Sequence, residues 1–144
     1  EIIVKQTFEN VINVNLYPRT QITITIQELH DDGCLLSACI NATTLALTNA
    51  GIPMNSLIAS CSVVLIEDKD KKESNLHIYN TKEEEQNARA RFSITYDKSL
   101  KGPITTHTVG PFSQEEFWNV SNNIKTTCQQ LLGSFRKVLS EHYS

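Results

Sequence analysis

The spacing of apolar residues divides the chain into a series of elements. Ile2, Ile3, Phe8, Val11 and Ile12 recur at helical intervals and predict an amphipathic helix that begins at the first residue. It opens without a capping residue, a hint that chain precedes it. Leu16-Tyr17-Pro18 is expected to end it, because proline biases the residue before it away from the α region. Thr20 to Leu29 reads TQITITIQEL, with Ile22, Ile24 and Ile26 on one face and Thr23, Thr25 and Gln27 on the other. This is the clearest strand in the sequence. Asp31-Asp32-Gly33 then predicts a turn.

Leu35 to Ala50 is rich in Ala, Leu and Cys and ends at Gly51, with Pro53 soon after. That pattern predicts a helix, and its lack of charge predicts burial on most sides. Leu57 to Ile66 is an apolar strand. Glu67 to Glu73 is charged throughout and reads as a solvated hairpin tip. Leu76 to Tyr79 is a short strand and Thr81 to Gln86 a charged linker. From Ala88 to Tyr96 small or apolar residues alternate with Arg89, Arg91, Ser93 and Thr95, predicting a half-buried strand with an outward polar face. Gly102-Pro103 turns the chain into a strand from Ile104 to Val109. Ser113-Gln114-Glu115-Glu116 is a capping box, since Ser113 and Glu116 can each satisfy an orphan amide. Behind it Phe117, Val120, Ile124, Cys128, Leu131, Phe135 and Val138 form one stripe of a long final helix, running to about His142. The order of elements predicts a single layered α+β domain spanning 1–144.

Composition narrows the function without naming it. The net charge of −3 and pI of about 5.8 argue against a strongly basic nucleic-acid binder. No apolar run reaches the ~18 residues of a membrane span, so no membrane contact is expected. Cys34, Cys39, Cys61 and Cys128 contain no CxxC pair and read as reduced core thiols of a cytosolic or nuclear protein. The histidines, His30, His77, His107 and His142, show no ligand spacing, and no metal or cofactor is expected. Asp31-Asp32 could hold a cation, but beside Gly33 the plainer reading is a turn. Glu83-Glu84-Glu85 could serve acid–base chemistry or simply be a solvated linker. Arg89 and Arg91 could meet RNA phosphates or cover a partner surface.

A family resemblance adds the function. Leu16-Tyr17-Pro18-Arg19-Thr20-Gln21-Ile22, the Asp32-Gly33 turn, Ala38-Cys39-Ile40-Asn41-Ala42-Thr43, Leu45-Ala46-Leu47 and Ala50-Gly51-Ile52-Pro53-Met54 stand in unbroken order and resemble the RNase PH family. Within it the chain is most similar to ring subunits of the eukaryotic RNA exosome, nearest the component-five type, with component four the alternative. The resemblance implies an RNase PH-type fold (ribosomal protein S5 domain 2-like) and leaves the family's front strands without a counterpart here. It also implies other RNase PH-type ring subunits and S1/KH-type cap subunits as partners, RNA threaded through the ring, and residence in nucleus, nucleolus and cytoplasm.

Active members of the family degrade RNA from its 3′ end with phosphate. They bind that phosphate at a Gly-Thr/Ser-Arg step and place an acidic pair on and after a later strand. Here the step is Gly33-Cys34-Leu35, and Leu35 cannot clamp phosphate. The acid positions fall on Tyr79 and Glu85, with Asn80 a poor substitute, so the pair is broken. The implied function is a non-catalytic structural subunit with degenerate positions Cys34, Leu35, Tyr79 and Glu85. The alternatives are an active phosphate-dependent 3′-to-5′ exoribonuclease or a metal-dependent nuclease outside the ring. Arg19, Arg89 and Arg91 are the candidate RNA contacts. The strand Thr20 to Leu29 and the outward face of Ala88 to Tyr96 are the candidate interface surfaces.

Overall fold

The computed structural model describes residues 1–67 and 74–142. Helix α1 (Ile2–Val11) and a 3₁₀ turn (Val14–Leu16) are followed by α2 (Leu35–Asn49), β1 (Ile58–Glu67), β2 (Ser74–Ile78), α3 (Lys82–Asn87), β3 (Ala90–Asp97), β4 (Pro103–Val109) and α4 (Gln114–His142). The strands form one antiparallel sheet in the order β2-β1-β3-β4.

Strand β1 is central, and its burial explains the layering. Ala59, Cys61, Val63 and Leu65 face one way and pair in register with Tyr96, Ile94, Phe92 and Ala90 of β3. This face packs against Val120, Ile124, Cys128, Leu132 and Phe135 of α4. The other face of β1 carries Ser60 and Ser62, and α2 covers it. Here the contact is a run of hydroxyls. Ser37 Oγ lies 2.7 Å from Ser62 Oγ, which lies 2.8 Å from Ser93 Oγ. Ser60 Oγ donates to Ser37 Oγ at 3.1 Å and accepts from Thr95 Oγ1 at 3.1 Å. Asn41 adds a two-way bridge to the Ser60 backbone, donating to its carbonyl and accepting from its N–H. Buried hydroxyls that satisfy one another carry no unpaired-group penalty. Helix α1 joins the same layer through a second core of Val4, Phe8, Val11, Ile40, Leu47 and Ile58.

Several expectations change. Helix α1 stops at Val11, before Leu16-Tyr17-Pro18, because Ile12 turns extended and bridges Met54. The segment Thr20 to Leu29 forms no strand: the alternation is there, but none of the described strands pairs with it. Thr81 to Gln86 is not a linker. Thr81 and Glu84 form a capping box, three acids occupy the first turn, and α3 results. The polar face of β3 does not point outward beyond Arg91. Thr95 is buried under α2 and Ser93 is half-buried. Helix α2 buries Ser37, Ile40, Thr43, Thr44 and Leu47, while Ala38, Ala42 and Ala46 are exposed, so its cover is one-sided. In α4 the predicted stripe holds as far as Phe135, but Val138 is exposed. Glu67 is the exposed end of β1, and the rest of the expected hairpin tip lies outside the described residues.

The remaining elements fall close to their expected places. Cys61 and Cys128 are buried, Cys34 and Cys39 half-buried, and all four are free thiols. No helix among the described residues is long and apolar enough to cross a membrane.

Candidate functional site

Two chain segments far apart in sequence meet at the start of α2. The turn Asp31-Asp32-Gly33 delivers the chain into the helix, with Gly33 N–H donating to Asp31 Oδ1 at 3.1 Å. Gly33 has φ +102°, and a Cβ there would lie 2.3 Å from the Asn80 carbonyl oxygen. Only glycine lets the loop after β2 cross so closely. Cys34 is the N-cap residue, in the left-handed region at φ 57°, and its side chain does not cap the helix. The helix also has no acid in its own first turn.

The anion that meets this helix end comes from α3. Glu85 Oε1 accepts from Cys34 N–H at 2.8 Å and from Asn80 Nδ2 at 2.8 Å. A carboxylate at a helix N-terminus gains from the orphan amides and the aligned peptide dipoles. Glu85 Oε2 lies 3.8 Å from Arg91 Nη1. Asn80 is buried, and its carbonyl and side-chain oxygens both lie 3.4 Å from Cys34 Sγ. Burial, reinforced by the Glu85 charge, pushes the Cys34 thiol up to about 11. It is therefore protonated at neutral pH and a poor nucleophile.

Charged neighbours tie α3 in place. Lys82 Nζ donates to Asp31 Oδ2 at 2.8 Å. That bond holds the Asp31 carboxyl below its ordinary value and raises Lys82. Glu84 accepts from the Thr81 backbone N–H and lies 2.8 Å from His77 Nδ1. Its carboxyl is lowered, first by the Thr81 amide.

The structure thus brings together Cys34, Glu85 and Arg91 of the sequence-derived candidates. It leaves the others apart. Leu35 lines a groove beside α1. Tyr79 is exposed, in a left-handed turn at φ 59°. Arg89 pairs with Glu67 at 3.1 Å and with Glu116 at the start of α4. Arg19 lies on the exposed turn at 17–20. Asn80, weighed from sequence only as a substitute acid, is instead the bridge between Cys34 and Glu85. The signal that could have found this arrangement was Thr81-x-x-Glu84, since a helix starting there aims Glu85 back at α2. Among the described residues no group of His, Cys, Asp or Glu is arranged to hold a metal ion.

Residues 1–53 match the RNase_PH family model, the 3′ exoribonuclease family, domain 1. The rice (Oryza sativa) Rrp46 crystal structure superposes with a TM-score of 0.87 at 25% identity, covering 97% of this chain and 64% of that one. Over residues 1–53 the chain matches the RNase PH family, and over nearly its whole length it has the Rrp46 fold. Exosome complex component ski6 of Schizosaccharomyces pombe is 47% identical over 66 residues, which is 46% of this chain and 27% of that protein. Exosome complex component Rrp41 of Methanosarcina mazei is 31% identical over 140 residues, 96% of this chain and 27% of that protein. The matches to these two curated relatives span about a quarter of their length. The sheet with its covering helices is the RNase PH fold, an α+β arrangement, as the motifs from Tyr17 to Met54 implied.

Proposed function

We propose that this chain is a non-catalytic subunit of an RNA exosome-type ring. Its relatives' names support membership of such an assembly. One observation carries the non-catalytic part: the carboxylate of Glu85 sits on the Cys34 amide at the α2 N-terminus. In a phosphate-using relative that helix end would receive the anion. A resident carboxylate there repels a phosphate, and the Arg that would offset the repulsion is replaced by Leu35. Electrostatic clamping is usually the largest catalytic contribution. Tyr79 at the expected acid position supplies no carboxylate. The Rrp46 fold match supports the component-five type, while the curated relatives of higher identity named Rrp41 keep component four as the alternative. The partners are then other RNase PH-type subunits and S1/KH-type caps. RNA passes through the assembled ring, with Arg19, Arg89 and Arg91 as candidate contacts, in nucleus, nucleolus and cytoplasm.

The test is phosphorolysis by the chain assembled with candidate ring subunits, given RNA, magnesium and inorganic phosphate. The expected result is no nucleoside diphosphate above that of a ring lacking this chain. Diphosphate release that disappears with Glu85→Ala would overturn the proposal in favour of an active exoribonuclease.

A further inference from the structure

A run of aromatic rings reaches the surface at the start of α4. Phe92 is buried in the sheet, and its ring centroid lies 4.9 Å from that of Phe112, edge to face. Phe112 stacks on Phe117 at 6.0 Å, and Phe117 meets Trp118 edge-on at 5.9 Å. The run ends in solvent: Phe112 is 39% exposed and Trp118 57%. Gly110, at φ +98°, fixes the loop that carries Phe112, since a Cβ there would lie 2.2 Å from the Arg89 carbonyl oxygen. Between this loop and α4 lies a groove of about 550 Å³, lined by Arg89, Phe112, Glu115, Glu116 and Asn119 among others. Arg89 is committed to Glu67 and Glu116. Glu115 is exposed and neighbours Trp118 on the helix surface, three residues apart.

We propose that this groove docks an arginine-bearing basic segment of a partner protein, its guanidinium over the Trp118 ring and its N–H fork on Glu115. An exposed indole beside a carboxylate offers the two things a guanidinium binds, a π face and a planar acceptor. Lysine shares the charge but not the fork or the stacking. Charge selects the class of partner. Among the described residues three carboxylates, Glu67, Glu115 and Glu116, stand around the one guanidinium of Arg89. Lys125, the nearest basic residue of α4 to Trp118, lies about 10 Å further along the axis. A phosphate backbone is repelled from such a rim and a cationic segment is drawn to it. The rings are held by the core and the loop by Gly110, so little is left to order on binding. Tryptophan and arginine are also the side chains that most often anchor an interface. The groove lies on the α4 side of the sheet, opposite the layer of α1 and α2. The docking site goes beyond the ring-subunit reading and does not depend on it.

Trp118 is the chain's one tryptophan, so its fluorescence reads this site directly. The probes are a nonapeptide of alternating arginine and glycine, its lysine-for-arginine counterpart, and an oligouridylate of the same length. The arginine peptide should change the Trp118 emission saturably, and the lysine peptide should bind about threefold more weakly or worse. The oligouridylate should leave the emission unchanged. Glu115→Gln, which spares the Ser113–Glu116 capping box, should raise Kd about threefold. Glu141→Gln removes the same charge from the exposed far end of α4 and should leave Kd unchanged. Trp118→Leu, followed by calorimetry, should abolish measurable binding. If that variant loses its helical circular dichroism, Trp118→Phe replaces it, expected to weaken binding about threefold. No saturation by about 1 mM arginine peptide overturns the proposal. So do equal affinity for the lysine peptide, an equal loss in Glu141→Gln, full binding by the Trp118 variants, or a saturable response to the oligouridylate.

Discussion

Replacing Gly33 by alanine tests how tightly the two halves of the site are held together. Gly33 and Gly51 both have positive φ, +102° and +69°. A Cβ at Gly51 meets nothing within 4 Å, whereas one at Gly33 falls 2.3 Å from the Asn80 carbonyl oxygen and 2.8 Å from the Thr81 carbonyl carbon. Gly51→Ala therefore costs only the backbone strain, about 1–2 kcal/mol. Gly33→Ala carries at least that strain and must also push the 80–81 loop away. Both obstructing atoms are backbone, so no side chain can swing aside. Moving the loop displaces Asn80 and the start of α3, which hold Glu85 against Cys34 at two 2.8 Å hydrogen bonds. Hydrogen bonds to a charged group contribute about 1.5 kcal/mol or more each. The site-specific loss is then about 3 kcal/mol beyond the strain.

The assay is urea unfolding of wild type, Gly33→Ala and Gly51→Ala under one set of conditions. The expected order of losses is Gly33→Ala well above Gly51→Ala, with a gap of about 3 kcal/mol. The Cys34 amide should exchange faster in Gly33→Ala alone. A gap under about 0.5 kcal/mol would refute the reasoning, because the loop would then be free to move without disturbing Glu85.

Two further outcomes follow from burial and charge. Ile40→Ala should cost about 2–5 kcal/mol in the same melt, since Ile40 is 1% exposed where α1, α2 and β1 meet, while half-buried Leu45→Ala should cost less. Asp31 and Glu84 have carboxyls held below their ordinary values of 3.8 and 4.5, so the stability they give is present above those values and lost as pH falls through the lowered ones. The urea midpoint should be flat in this respect down to about pH 4.5 and fall below it, and Asp31→Asn/Glu84→Gln should flatten the acid slope.

How far the sequence carried the fold depended on whether an element's partner was local. Helix α4 was legible because its capping box and its apolar stripe lie in the same stretch of chain. The central strand was legible because both its faces are buried, leaving a continuous apolar run. The polar positions of β3 misled for a physical reason. Ser93 and Thr95 look solvated in sequence, yet Ser62 and Ser60 of β1 meet them and relay each to Ser37 of α2. A hydroxyl satisfied by another hydroxyl leaves no trace in a hydropathy pattern. The same limit applied to the site. Gly33-Cys34-Leu35 and Glu85 could be matched to family positions, but the contact between them spans 51 residues and depends on α3, which was read as a linker.

The placement of Glu85 gives α2 a cap that its own sequence lacks. Cys34 offers no side-chain oxygen, and Leu35, Leu36 and Ser37 bring no charge to the first turn. An orphaned helix end half-buried beneath the Asn80 loop would cost free energy unless something met its amides. A bound phosphate does that in a phosphate-using enzyme only while the ligand is present. Glu85 does it permanently, with Arg91 nearby to balance the charge. In this chain the carboxylate contributes to stability at the start of α2. The helix end is served by an anion of the protein's own, held by the Asn80 side chain and the α3 capping box.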